Sequence, residues 1–150
     1  ATAKPVLGIN PAEKLLTNGI RGSLKYSDFE WCSWTNNDSV SFTIDLLKPE
    51  VLNTLTLGCI TNNGMAIHKP ASVKVEVSDD NSNFREAAMQ SFTPEEIFRE
   101  GNFIETLPLK LGGTQGRYVR VSAKGPGVCP ASHVRSGQAS RIFFDEVMLE

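Results

Sequence analysis

The stretch "VSFTIDL", residues 40 to 46, alternates Val40, Phe42, Ile44 and Leu46 with Ser41, Thr43 and Asp45. A period of two sends successive side chains to opposite faces of an extended chain, so the four apolar groups share one face. Such a face requires a half-buried strand and a second layer to cover it. The same period recurs at Leu55, Leu57 and Cys59 in "TLTLGCI", at Val73, Val75 and Val77 in "SVKVEV", and at Val119, Val121 and Ala123 in "YVRVSA". "FIETLPL" (103 to 109) and "IFFDEVML" (142 to 149) complete the strong strand candidates. Helical periodicity is poor, and "NPAEKLL" (10 to 16) and "PEEIFRE" (94 to 100), each with a proline suited to a first turn, predict brief connectors. Short strands separated by Gly, Pro, Asn and Asp clusters predict an all-β sandwich with two sheets packed face to face.

If successive strands run in opposite directions, the loops sort to two ends. "LKPE" (47 to 50), "SDDNSN" (78 to 83) and "KLGGTQG" (110 to 116) fall at one end. "SWTNNDS" (33 to 39), "TNNGMAIHKP" (61 to 70), the segment 91 to 101 and "KGPGVCPASHVRSGQAS" (124 to 140) fall at the other. The second end is richer in aromatic, amide, imidazole and guanidinium groups. Loops on a rigid scaffold are where binding residues concentrate, so the second end is the expected site.

A length of 150 residues suits one domain with a real core, 1 to 150. The net charge is -2, from 15 Lys+Arg against 17 Asp+Glu, without blocks of like charge. That balance argues against a nucleic-acid footprint and against a polybasic membrane anchor. No apolar run approaches the roughly 18 residues of a membrane helix, and "ATAKPVLGIN" lacks the charged and apolar regions of a signal peptide. Cys32, Cys59 and Cys129 can form at most one bridge, their wide spacing is not that of a disulfide scaffold, and they are expected to be small buried apolar residues.

The sequence offers little to catalysis. Glycoside hydrolysis takes two carboxyl groups facing one sugar, whereas Asp79-Asp80, Glu95-Glu96 and Asp145-Glu146 are sequence neighbours. In a strand, Asp145 and Glu146 point to opposite faces. There is no G-x-S-x-G elbow, no P-loop and no C-x-x-C, and Cys129 and His133 lack the second close pair of a zinc site. These features predict a domain without an active site.

The order of features, with Asn18-Gly19, Ser23, Trp31, "FTIDL", "PASVKVEVSDDNSNF", "GRYVRVSAKGPGVCP" and a closing "FFDEVMLE", resembles the discoidin or coagulation factor 5/8 type C domain. The resemblance is strongest to the family 32 carbohydrate-binding modules of bacterial glycoside hydrolases. "LTNGIRGS" and "VCPASH" are most similar to the C-terminal module of Bacteroides-type β-hexosaminidases. It implies an eight-stranded jelly-roll sandwich, like that of galactose-binding domains, and an exported protein at work in the periplasm or on the surface of a bacterium. It also implies a structural calcium where the first turn meets the last strand. The ligands would be the side chains of Asn18, Ser23 and Glu146 with backbone oxygens of Leu16 and Ile20, a set of hard oxygen donors.

Sugar recognition takes an apolar platform for a pyranose C–H face and a few fixed polar groups for its hydroxyls. Trp34 is the candidate platform. Asn62, Asn63 and His68, in a loop where relatives place sugar contacts, and His133 and Arg135, in the loop before the last strand, are the candidate polar groups. The expected function is a non-catalytic module that holds an attached β-hexosaminidase-like catalytic domain near glycans ending in galactose or an N-acetylhexosamine. Rival readings are an adhesion module with Met65 and Ile67 as apolar spikes, and an architectural domain packed on a catalytic domain.

Overall fold

The computed structural model describes residues 32–35, 39–131, 133 and 135–150. The described residues form six strands: β1 Cys32–Thr35, β2 Ser39–Asn62, β3 Ser72–Ser78, β4 Arg85–Ser91, β5 Asn102–Lys124 and β6 Arg141–Leu149. They are hydrogen-bonded in the order β1-β6-β2-β5-β3-β4, and every pairing is antiparallel. A 3-10 turn, Asn63–Met65, and one short helix, α1 Pro94–Ile97, complete the regular structure.

The strands expected at 40 to 46 and around 55 to 59 are two parts of β2, and those expected at 103 to 109 and 119 to 123 are two parts of β5. The expected eight strands therefore appear as six among the described residues, because segment 47–50 and segment 110–116 are irregular stretches of long strands. The β2–β5 register slips between Asp45↔Tyr118 and Glu50↔Gly116, and again between Leu52↔Thr114 and Thr54↔Lys110. Leu47 at φ 70, Gly112 at φ 66 and Gly113 at φ 76 supply the left-handed backbone at these slips.

Both parts of the ribbon bury their alternating residues in one core. Val40, Val75 and Val121 from one part share a cluster with Leu55, Leu57, Leu109 and Phe144 from the other. The ribbon thus folds over itself and closes an apolar layer between facing sheets, an all-β sandwich. At Gly116, beside the bend, an added Cβ would lie 2.1 Å from Val77 Cγ1 and 3.2 Å from the Ser78 carbonyl oxygen, so this close approach needs glycine. Asp45 takes the Leu47 N–H at 2.8 Å and holds Arg117 through both carboxylate oxygens at 2.8 and 2.9 Å. Arg117 lowers the Asp45 carboxyl pKa to about 2 by that bidentate hydrogen bond, with the Leu47 N–H as second cause.

Three sequence expectations need correction. Residues 33–35, expected in a loop, belong to β1, where Trp34 pairs with Ile142 of β6; a strand of 4 residues is too short to show a period. The strand β4 was not expected, because Ala87 and Ala88 are both half-buried at a bulge opposite Val75 and Glu76 and interrupt the alternation. The helix expected over 94 to 100 ends at Ile97. It is fixed by a capping box between Thr93 and Glu96 and by burial of Ile97, at 4% exposure. The expected connector at 10 to 16 lies outside the described residues. Cys59 and Cys129 are buried, as expected for small apolar side chains.

Candidate functional site

Three of the four loops expected at one end do meet there. The first begins where β2 ends. Asn62 and Ile67 exchange backbone hydrogen bonds of 2.9 and 3.1 Å across the Asn63–Met65 turn, and Ala66 closes the turn at φ 56. The His68 N–H then donates to the Arg141 carbonyl at 3.0 Å, and the Arg141 N–H to that of Ala66 at 2.8 Å, which seats the loop against β6. The second loop, 91 to 101, joins through the Asn63 N–H and the Gly101 carbonyl at 3.1 Å. The third, 124 to 140, is tied within itself by Cys129 N–H to Gln138 O at 2.8 Å, Gly137 N–H to Cys129 O at 3.0 Å and Ser140 N–H to Gly127 O at 2.9 Å.

These loops focus on one amide. Oδ1 of Asn63 lies 2.9 Å from His68 Nε2 and 2.7 Å from His133 Nε2. The backbone N–H of Arg135 donates to His133 Nδ1 at 2.9 Å, so that nitrogen is the acceptor and the proton of the neutral ring sits on Nε2. His68 follows the same pattern: Nε2 donates to Asn63, and Nδ1 accepts from the Ser140 hydroxyl at 2.9 Å. The Cys129 thiol stands 3.6 Å from the Ser140 oxygen and completes the chain. Burial first, and the neighbouring His133 second, lower the His68 pKa to about 4, so His68 is neutral at pH 7.

Around this centre, Phe98 sets its ring edge-on to His68 with centroids 4.8 Å apart and remains half-buried. Arg135 reaches the carbonyl of Gly64 through Nε, the Gln138 Oε1 at 3.1 Å through Nη1 and the Met65 thioether at 3.7 Å through Nη2. Arg141 donates to the Met65 carbonyl at 3.2 Å. The turn is thus held from both sides by guanidinium groups.

The structure therefore brings Asn63, His68, His133 and Arg135 into one connected cluster, with Asn62 at its base. The two imidazoles stand inside it: His68 has 0% exposure and His133 9%. Asn62, Asn63 and Arg135 are half-buried and retain surface. Trp34 is placed on β1, and its side chain lies outside the described residues. Sequence reading missed Phe98, Ser140 and Cys129. The capping box of α1 is the signal that could have fixed the place of Phe98. Ile67, read as an apolar spike, is instead fully buried with Ile60 and Phe143, and Met65 packs against the same cluster.

Of the five residues implied as calcium ligands, only Glu146 is among the described residues; Leu16, Asn18, Ile20 and Ser23 lie outside them. Glu146 is on β6 with 5% exposure, a carboxylate withdrawn from water and of the donor type a hard cation takes. Among the described residues no group of three His, Cys, Asp or Glu is arranged to hold a metal ion. No helix among them is long and apolar enough to cross a membrane.

A folded antiparallel ribbon with a polar, loop-borne cluster at one end defines a β-sandwich domain in which rigid strands present hydrogen-bonded loops. The chain belongs to the F5/8 type C domain family, which it matches over residues 7–136. Solved structures with a similar fold include the C-terminal domain of a chitobiase from Bacteroides fragilis, at 16% identity and a TM-score of 0.50, covering 93% of this chain and 78% of that one. The CBM32 of AlyQ in complex with 4,5-unsaturated mannuronic acid shares 20% identity at a TM-score of 0.52, covering 89% of this chain and 83% of that one. A CBM32 from a family 31 glycoside hydrolase of Clostridium perfringens shares 12% identity at a TM-score of 0.55, covering 95% and 87%. Likeness at this identity concerns the fold. No curated protein matches the sequence.

Proposed function

We propose that the domain is a non-catalytic carbohydrate-binding module whose site is the rim formed by the loops 61 to 70, 91 to 101 and 124 to 140. The observation that carries this reading is the convergence of Asn63, His68, His133 and Arg135 on one turn beside Phe98. The buried imidazoles fix the Asn63 carboxamide by taking up its oxygen, which aims the amide nitrogen; a fixed donor loses little freedom on binding a sugar hydroxyl. Asn62 and Arg135 add polar groups with exposed surface. Phe98 offers an apolar ring for the C–H face of a pyranose, a role that Trp34 shares in this reading.

The cluster is made of amides, imidazoles and guanidinium groups, without the facing carboxyl pair of a glycosidase, which supports binding over bond cleavage. The CBM32 folds among the similar structures support the same assignment. In this reading the module belongs to an exported bacterial glycoside hydrolase of β-hexosaminidase type, in the periplasm or at the cell surface. It takes glycans of galactose or N-acetylhexosamine type and raises the local concentration of substrate around the catalytic domain. A glycan array followed by titration of the 150-residue chain in calcium-containing buffer tests the assignment. Saturable binding, weakened by Phe98→Ala, is the expected result; saturation by no saccharide overturns it.

We further propose a calcium ion held by Asn18, Ser23 and Glu146 with backbone oxygens of Leu16 and Ile20. The buried carboxylate of Glu146 supports the reading. Bound calcium would supply a fixed positive charge and join distant segments, and a chelator would then lower the melting temperature. A Tm identical with and without chelator, and unchanged by Glu146→Gln in its response to calcium, rejects the site.

A further inference from the structure

Six cations among the described residues are matched by acids. Lys48 pairs with Glu50, Lys69 with Glu105, Lys74 and Arg120 with Glu76, Arg85 with Asp79, and Arg117 with Asp45. Arg99, Lys110 and Lys124 stand outside these pairs, and all three are exposed; Arg135 is half-buried. Its contacts are a carbonyl, a carboxamide oxygen and a thioether, all neutral, and no carboxylate among the described residues forms an ion pair with it. The acids of the neighbouring 91 to 101 segment do not serve it either: Glu96 is engaged with Thr93, and neither Glu95 nor Glu100 pairs with Arg135.

A guanidinium carries five N–H groups, one on Nε and two on each terminal nitrogen. Three are committed, one of them to the weakly accepting sulfur of Met65, which leaves one N–H on each terminal nitrogen among the described contacts. Two donors from one planar fork match the two oxygens of a planar carboxylate. The loop geometry holds this charge half-buried at the rim, next to neutral imidazoles whose N–H groups also face an oxygen. A partly desolvated cation with neutral neighbours attracts an anion more strongly than one in open water.

We infer that the saccharide seated at Arg135 is a hexuronate, its carboxylate bound end-on by the guanidinium. The inference rests on the rim being the glycan site and names the class of sugar it takes. A hexuronate of galactose configuration satisfies both the galactose-type expectation and the charge. A sulfate ester can also present two oxygens to the fork, so the test includes one as a competing anion.

The test compares oligogalacturonide, oligomannuronate and oligoglucuronate with their methyl esters, alongside neutral galactose and N-acetylgalactosamine glycans and a sulfated galactan, on the full 150-residue chain. At least one uronate binds about tenfold more tightly than its own ester, the scale of one charge-assisted contact, and the advantage shrinks with added salt. Arg135→Gln brings the affinities of each acid and its ester together. Equal affinity for acid and ester, or tighter binding of the sulfated galactan, overturns the hexuronate assignment while glycan binding itself stands. No binding to any saccharide overturns both. The ester comparison on the unsubstituted chain decides the matter even where the variant does not fold.

Discussion

His68 and His133 meet edge to face, with ring centroids 5.2 Å apart, and both direct Nε2 at the one carboxamide oxygen of Asn63. Two donors on one acceptor hold three loop residues in a fixed relation without any charge. The rim owes its shape to this arrangement.

Asn63→Ala strands two inward-facing imidazole N–H groups. Leaving a buried donor without an acceptor costs about 1–3 kcal/mol, and a loss of that size in a urea titration is the expected outcome. Asn63→Asp behaves differently: a carboxylate beside the ring raises the His68 pKa, read by NMR titration of its ring protons.

The fold disfavours protonation of His68, whose pKa falls from 6.5 to about 4 by burial and by the nearby His133. The unfolded chain therefore binds the proton more readily between those values. The stability associated with neutral His68 is complete above pH 6.5 and declines as pH falls toward 4. Urea midpoints measured at steps across this window should fall with pH, and His68→Gln should flatten that part of the profile. A midpoint independent of pH in the window contradicts it.

Asp45 is depressed as well, from 3.8 to about 2, chiefly by the Arg117 hydrogen bonds. Its contribution is present above pH 3.8 and is lost as pH falls through about 2. Carbon-detected NMR should find the Asp45 carboxyl titrating near the lower value, and Arg117→Met should return it upward. Because the pair is exposed, added salt weakens it.

Gly116→Ala places a methyl group 2.1 Å from Val77 Cγ1. Overpacking of this kind costs about 1–3 kcal/mol. Val77→Ala removes the clashing carbon, so the double variant should recover part of the loss relative to the sum of the single changes. Strict additivity in chemical denaturation would contradict the contact.

The alternation of Val40, Phe42, Ile44 and Leu46, and its repeats at Leu55 and Leu57, Val73 to Val77 and Val119 to Ala123, were sufficient to read an all-β sandwich. A period of two is a local property of the chain, and the faces it predicts are buried as expected. The grouping of three loops at one end was also legible, since antiparallel strands reverse their ends at each turn. Which strands run on was not legible: the backbone carries pairing through Leu47, Gly112 and Gly113, where local composition reads as loop. Nor was β4, whose bulge at Ala87 and Ala88 removes the alternation.

For the rim, sequence named amides, imidazoles and a guanidinium that meet in the structure but gave no means of telling an exposed ring from a sealed one. Burial is a sum over neighbours drawn from remote parts of the chain. His68 is enclosed because Phe98, His133, Ser140 and Asn63 close on it from three loops, and Arg135 pairs with no acid among the described residues of those loops. Residue order alone determined the periodicity and therefore the layers. Tertiary structure decided which polar groups face inward, since hydrogen bonds and desolvation depend on distances between residues that the sequence leaves far apart.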